Sequence, residues 1–161
     1  MSHDQHEYGA VVTWRGSTAS GYDSYDRTHA GACPPAAASL TLSSDPAFLG
    51  DAAILNPEQL LVLAAASCQL LSFLAVAARA RIDVWEYDDD AEATMPEEPR
   101  PMRIREIRLQ PRIRVAPGTD AARVLQLCEV AHKECFIANT LACPVTVDAA
   151  VRVADDSDRS T

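Results

Sequence analysis

The stretch NPEQLLVLAAASCQLL, residues 56–71, carries the clearest structural signal in the chain. Asn56 is a residue type favoured as a helix N-cap, and Pro57 suits the first helical position because its missing N–H is not needed there. Glu58 adds a negative charge to the first turn, where the helix dipole favours it. The apolar run behind this start predicts a long helix that carries one thiol, Cys68, about three turns in.

The predicted helix extends to about Arg81 and is apolar on every face between Leu60 and Ala78. Its length approaches that of a membrane-spanning helix, which needs about 20 apolar residues. Many of its residues are alanine, however, and no second apolar span accompanies it. In a globular chain, a helix without a polar face lies at the buried centre of the fold. We therefore expect a central buried helix and no membrane span.

The composition is that of an ordinary globular domain. The 161 residues are 48% hydrophobic and 23% charged, with a formal net charge of −9. An acidic chain is poorly suited to bind nucleic acid or anionic membranes, which need clustered Lys and Arg. The N-terminus lacks the basic and apolar regions of a signal peptide, and five cysteines do not form a paired disulfide framework. These features predict a cytoplasmic protein with reduced thiols.

The order of the predicted elements indicates an α+β fold with segregated helices and strands. A second helix is predicted from about Asp120 to Glu134, after the Pro117-Gly118 turn. Strands are predicted within residues 8–14, 22–29, 39–43, 82–89 and 107–115, and from residue 143 onward. We expect a single domain over residues 8–153, a disordered N-terminus over residues 1–7 and a flexible tail over residues 154–161.

Arginines alternate with apolar residues in the strand IRLQPRIRV, residues 107–115. Arg108, Arg112 and Arg114 therefore share one face of that strand. Such a stripe could bind an anion. The sequence favours the simpler interpretation, in which the arginines form cross-strand pairs with the acidic strand that precedes them.

The second helix places two further thiols on its buried face. Val124, Cys128, Ala131 and Cys135 step by four, three and four residues. A disulfide between Cys128 and Cys135 is excluded, since seven helical residues span about 10.5 Å and a disulfide needs Cα atoms within about 7 Å. By composition alone, a buried helical cysteine is most often a small hydrophobic residue.

Two motifs of the chain, and the order in which they occur, resemble those of the OsmC/Ohr family of thiol-dependent peroxidases. They are NPEQLLVLAAASC and AHKECFIANTLACPVTV. In that family a reactive cysteine follows the glutamate of the first motif by ten residues, a separation that Glu58 and Cys68 keep. A second cysteine follows the AH of the second motif, here Cys135 after His132. The resemblance covers roughly residues 40–150 and is greatest to the OsmC-like branch. It implies an antiparallel sheet with two main helices in an intertwined homodimer.

The resemblance also implies a reaction. Cys68 would attack an organic hydroperoxide, alkyl or lipid, and Cys135 would resolve the resulting sulfenic acid by forming a disulfide. An external dithiol or a lipoylated protein would then reduce that disulfide, and no cofactor or metal is expected. Cys128 is assigned to the core, whereas Cys33 and Cys143 are expected to be incidental.

The reaction requires Cys68 as a thiolate, because the thiol itself is a poor nucleophile. The helix dipole cannot supply the positive charge that would stabilise this thiolate, since Cys68 lies about 16 Å beyond Pro57 and the dipole acts mostly within the first turn. Burial among apolar residues opposes ionisation. The resemblance implies an activating arginine, for which Arg27 is the first candidate and Arg15 the second.

The resemblance implies that Glu58 orients that arginine. In the simpler interpretation, Glu58 only stabilises the first helical turn through the helix dipole. Ten helical residues place Glu58 about 15 Å along the helix from Cys68 and about 80° around it. One unbroken helix cannot bring both to one site. Either the helix breaks, or Glu58 serves the Cys68 of a second copy. Antiparallel crossing of two such helices would bury both, as an intertwined homodimer requires.

Two other functions are compatible with these residues. One is a non-enzymatic relative that senses redox state or binds a small apolar ligand. The other is acyl-transfer hydrolysis by Cys68, which needs a nearby histidine such as His29 or His132. His132 could also assist Cys135, although a capping or surface role is favoured.

Overall fold

The structure, a computed structural model, describes residues 5–160. The chain divides into two compact units, residues 1–60 and 61–161, which are described separately below. Residues 1–4 of the predicted disordered N-terminus lie outside the described residues. The predicted single domain over residues 8–153 stays a prediction.

The first unit contains one antiparallel sheet. Its strands are β1 (Val11–Thr13), β2 (His29–Ala32) and β3 (Ser39–Leu42), paired in the order β1-β2-β3. The predicted strand over residues 22–29 is wrong except at its last residue, because the backbone turns at residues 22–25 and the Tyr22 and Tyr25 carbonyls accept hydrogen bonds from Arg27. A 3-10 turn follows at Pro46–Phe48, with the Asp45 carboxylate accepting the Ala47 N–H at 2.7 Å.

Helix α1 spans Pro57–Arg79, as the capping residues predicted. The Asn56 side chain accepts the Gln59 N–H at 2.8 Å, and the Gln59 side chain accepts the Asn56 N–H at 3.0 Å. This reciprocal pair is a capping box. The helix ends two residues before the predicted Arg81, which adopts a positive φ of 59°. By length and composition alone α1 could cross a membrane, a property it shares with core helices of globular proteins.

The second unit contains two further sheets. Its strands are β4 (Val84–Asp89), β5 (Glu92–Thr94), β6 (Glu106–Leu109), β7 (Pro111–Val115), β8 (Val145–Val147) and β9 (Ala150–Val153). The sheet orders are β4-β7-β9 and β5-β6-β8. The other strand pairs are antiparallel, as the resemblance implied, and the pairs β6–β8 and β7–β9 add parallel pairing to the two sheets of this unit. The α+β class is confirmed.

Two helices complete this unit: α2 (Ala121–Glu134) and a short α3 (Phe136–Thr140) that the sequence did not predict. Phe73 and Ala77 of α1 pack with Ile113 of β7 and Val124 of α2 in one core cluster. A second cluster joins the first half of α1 to β6.

The arginine stripe forms ion pairs across the sheets, as the simpler interpretation predicted. Arg108 contacts Glu92 at 3.0 Å, Arg112 contacts Asp90 at 2.6 Å, and Arg114 contacts Glu86 at 2.6 Å. Arg114 also reaches Asp158 in a 3-10 turn over residues 156–160, within the segment expected to be a flexible tail. Flexibility of that tail stays a prediction.

Candidate active site

The structure brings together the two cysteines that the sequence singled out. Cys68 lies on α1, and Cys135 lies at the junction of α2 and α3, where it ends one helix and begins the other. The two thiols are close enough that Cys68 contributes to raising the pKa of the Cys135 thiol. The Ile137 N–H also donates to Cys68 Sγ at 3.5 Å. The pair can therefore form a disulfide without a large rearrangement.

The two thiols differ in access to solvent. Cys68 is half-buried, whereas Cys135 is fully buried. Burial raises the pKa of the Cys135 thiol, the backbone N–H of Ala138 lowers it, and the hydrogen bond with Cys68 raises it further. The raised pKa keeps the Cys135 thiol protonated at neutral pH. This asymmetry favours Cys68 as the sulfur that a solute meets first.

Cys128 belongs to the core, as expected. It is 2% exposed, and burial raises its pKa to about 11. The Gln69 amide lies 3.3 Å from the Cys128 carbonyl oxygen and 3.7 Å from the sulfur. Cys128 is therefore unreactive at neutral pH.

Among the described residues, the side chains of Cys33, Cys143 and His132 make no hydrogen bond to the thiols of Cys68 and Cys135. Cys33 is exposed in the loop after β2, and Cys143 is partly buried against the second core cluster. The backbone carbonyl of His132 accepts the Cys135 N–H at 3.2 Å at the end of α2. Its ring Nδ1 is buried without a hydrogen bond.

Arg27 and Glu58 line one cavity of about 390 Å³ in the first unit. Aromatic side chains form much of its wall. The lining includes Trp14, Tyr25, His29, Asp45 and Phe48. Arg15, the second candidate for the activating cation, is exposed, donates to the Trp14 carbonyl at 3.2 Å and does not line the cavity.

The Arg27 guanidinium is held rigidly by the turn that precedes β2. Its two terminal nitrogens donate to the carbonyls of Tyr25 at 2.8 Å and Tyr22 at 2.7 Å. The same group lies 4.1 Å from the Tyr25 ring centroid and 4.8 Å from that of Tyr22. Such cation–π contacts fix a cation without neutralising it. Among residues 5–160, no carboxylate lies within ion-pair distance of Arg27.

Helix α1 is continuous from Pro57 to Arg79. The alternative in which the helix breaks between Glu58 and Cys68 is therefore wrong. The other arrangement, in which Glu58 serves the Cys68 of a second copy, stays a prediction.

Sequence reasoning missed two features of these sites. The Ile137 N–H that contacts Cys68 belongs to the unpredicted helix α3, and no side-chain pattern signals a backbone donor. His29 was considered only for hydrolysis, yet it lines the cavity with Arg27. Arg27 and His29 are two residues apart, and in an extended segment this spacing places both side chains on one face. That spacing is the signal in the sequence that could have found His29.

Solved structures share this fold over nearly the whole chain. An OsmC-like protein of unknown function from Vibrio cholerae is 24% identical, with a TM-score of 0.82, covering 91% of this chain and 100% of its own. An organic hydroperoxide resistance protein from Elizabethkingia anophelis is 19% identical, with a TM-score of 0.69, covering 95% and 100%. An OsmC-like protein from Mycoplasma pneumoniae is 15% identical, with a TM-score of 0.71, covering 93% and 99%. At these identities the likeness establishes the fold.

No curated protein matches the chain. The family model described as OsmC-like protein matches residues 50–150, which is more than half of the sequence and includes both Cys68 and Cys135. The chain therefore belongs to the OsmC-like protein family.

Proposed function

We propose that this protein is a thiol-dependent peroxidase that reduces organic hydroperoxides. Cys68 is the peroxidatic cysteine and Cys135 the resolving cysteine. The observation that carries the proposal is the proximity of a half-buried thiol, Cys68, to a fully buried one, Cys135, whose pKa is raised. The name of the Elizabethkingia anophelis structure, an organic hydroperoxide resistance protein, supports the same substrate class.

The chemistry balances with these two residues and an external reductant. The Cys68 thiolate attacks the terminal oxygen of the hydroperoxide, the O–O bond breaks, and the leaving alkoxide takes up the proton that the Cys68 thiol released, which gives an alcohol. Cys135 then attacks the Cys68 sulfenic acid, which releases water and forms the disulfide. A dithiol or a lipoylated protein reduces this disulfide and restores both thiols.

A homodimer would complete the site. Leu63, Leu71 and Leu74 on α1 are 58%, 64% and 39% exposed in the single chain, which is unusual for large apolar side chains on one helix stripe. An antiparallel partner helix would cover this stripe. The same crossing would bring Glu58 and Arg27 of one copy to Cys68 of the other. Arg27 would supply the cation that the Cys68 thiolate needs, with Glu58 as its partner.

The aromatic wall of the cavity around Arg27 favours organic over inorganic peroxides. Trp14, Tyr25 and Phe48 offer apolar surface to an alkyl or aryl group, which hydrogen peroxide does not have. Each buried methylene contributes about 0.8 kcal/mol, so a few carbon atoms change the preference by one to two orders of magnitude.

The first test is peroxide consumption with a dithiol reductant. We expect cumene hydroperoxide to be reduced at least about tenfold faster than hydrogen peroxide, since the aromatic wall contacts only the former. One equivalent of cumene hydroperoxide without reductant should give a Cys68–Cys135 disulfide in peptide mass spectra, with Cys33 and Cys143 still alkylatable. Consumption of neither peroxide would contradict the proposal and favour a non-enzymatic redox sensor or ligand-binding protein. A disulfide between Cys68 and Cys128 would instead identify Cys128 as the resolving residue.

The second test is the oligomeric state. Sedimentation at micromolar concentration should give about twice the chain mass of 17.4 kDa. Leu71→Glu should shift the equilibrium to monomer, because it places a charge in the proposed interface. Leu125→Glu on α2, where the side chain is 39% exposed, is the matched control and should leave the dimer intact. A wild-type monomer would exclude a site shared between copies.

A further inference from the structure

His29 shares the cavity with Arg27 and has no role in the reaction as described above. The residue opens strand β2 and lies two positions after Arg27, so the two side chains share one face of the extended segment. Its ring is partly buried and lines the cavity. A partly buried imidazole in a reaction cavity is a group that can move protons.

One hydrogen bond determines which ring nitrogen carries the proton. His29 Nδ1 lies 2.8 Å from the Arg27 carbonyl oxygen. A carbonyl only accepts, so Nδ1 must be the donor and carries a hydrogen in the neutral ring. Nε2 is then the unprotonated nitrogen, and it makes no hydrogen bond among the described residues. It is free to accept a proton.

His29 lies among both acidic and basic groups. The charged and titratable groups that line the same cavity are Arg27, Tyr25, Asp45 and Glu58. Across the ladder, His29 pairs with Leu42 of β3, which brings no charge.

We propose that His29 is the proton-transfer residue of the peroxidase, which rests on the function proposed above. Nε2 of His29 takes the proton of the Cys68 thiol of the second copy, and the thiolate attacks the terminal peroxide oxygen. The O–O bond breaks, and the leaving alkoxide takes the proton from Nε2. The products are a sulfenic acid and an alcohol, with no external proton consumed. Arg27 cannot perform this step because its guanidinium does not release a proton.

The decisive variant is His29→Asn. The asparagine amide can donate to the Arg27 carbonyl as Nδ1 does, but it cannot exchange a proton at the Nε2 position. We expect the rate of Cys68 oxidation by cumene hydroperoxide in single-turnover experiments to fall about 10²-fold. Its pH profile should differ from that of the wild type, because the rate then follows the ionisation of Cys68 alone. His6→Asn, at an exposed histidine, is the control and should match wild type.

A second variant separates proton transfer from folding. His29→Ala should be equally slow and should recover with added imidazole, which a cavity of about 390 Å³ can admit. A wild-type rate and pH profile for His29→Asn would overturn the inference and leave His29 as a positioning residue for the Arg27 backbone. Inactivity of the wild-type protein itself would instead contradict the proposed function.

Discussion

Cys68→Ser is expected to abolish peroxide reduction, with a loss in kcat/KM on the order of 10³-fold or more, because the variant removes the nucleophile itself. A serine hydroxyl does not ionise near neutral pH and does not form a sulfenic acid. The substitution is nearly isosteric, and its oxygen can still accept the Ile137 N–H that donates to Cys68 Sγ. The loss should therefore occur without a change in fold.

The measurement is consumption of cumene hydroperoxide with a dithiol, with circular dichroism to verify the fold. Cys33→Ser is the matched control, since Cys33 is exposed in a loop after β2 and should be dispensable. Retention of a tenth or more of the activity by Cys68→Ser would place the nucleophile elsewhere. Cys128 could not replace it at neutral pH, because burial raises its pKa to about 11.

Local signals in the sequence were sufficient to predict helix α1 and the buried face of helix α2. Asn56 and Pro57 predicted the start of α1, where the side chain and backbone of Asn56 form a capping box with Gln59. The four- and three-residue steps predicted the burial of Cys128 and Cys135. Both signals depend only on residues within one or two turns, so they are readable without the tertiary structure.

The sheet pairing depended on long-range contacts that periodicity does not show. The apolar alternation of residues 107–115 is unbroken, yet the strand is interrupted at Gln110. There the Asp89 carboxylate accepts the Gln110 N–H at 2.7 Å in place of a ladder bond. The segment after Cys143 divides in the same way, where the Asp148 N–H donates to the Leu109 carbonyl at 2.8 Å. An alternating pattern is the same for parallel and antiparallel pairing, so the parallel pairs were missed.

The contact between Cys68 and Cys135 was predictable only through the family resemblance. The two residues are 67 positions apart, and helical phase places each on a buried face without saying that the faces meet. The unpredicted helix α3 supplies the Ile137 N–H to Cys68. Its start at Cys135 has no side-chain cap that would mark it in the sequence.

Arg27→Ala is expected to slow both peroxide reduction and iodoacetamide alkylation of Cys68 at neutral pH. Removing one preorganised charge from a reaction site costs about 10²-fold in rate. The guanidinium is preorganised because it is bound to two carbonyls, of Tyr22 and Tyr25, and lies over both rings. Arg27→Lys should not restore the rate, since an ammonium lacks the planar fork that makes both hydrogen bonds.

The measurement is the alkylation rate of Cys68 against pH for wild type, Arg27→Ala and Arg27→Lys. Arg15→Ala is the control, because Arg15 is exposed and does not line the cavity. Identical curves for wild type and Arg27→Ala would remove Arg27 from the site. If the wild-type Cys68 is alkylated at neutral pH no faster than an ordinary thiol, the non-enzymatic alternative is favoured.

Mixing two inactive variants tests whether Arg27 acts on the Cys68 of the other copy. In a mixed dimer of Arg27→Ala and Cys68→Ser chains, one of the two shared sites contains an intact Arg27 and an intact Cys68. Random reassociation of equal amounts should place half of the chains in such dimers, so about a quarter of wild-type activity should return in a symmetric dimer. If Arg27 and Cys68 of the same chain formed the site, every site in the mixture would lack one of the two residues. Activity would then stay at the level of the separate variants, and the proposed sharing of the site between copies would be wrong.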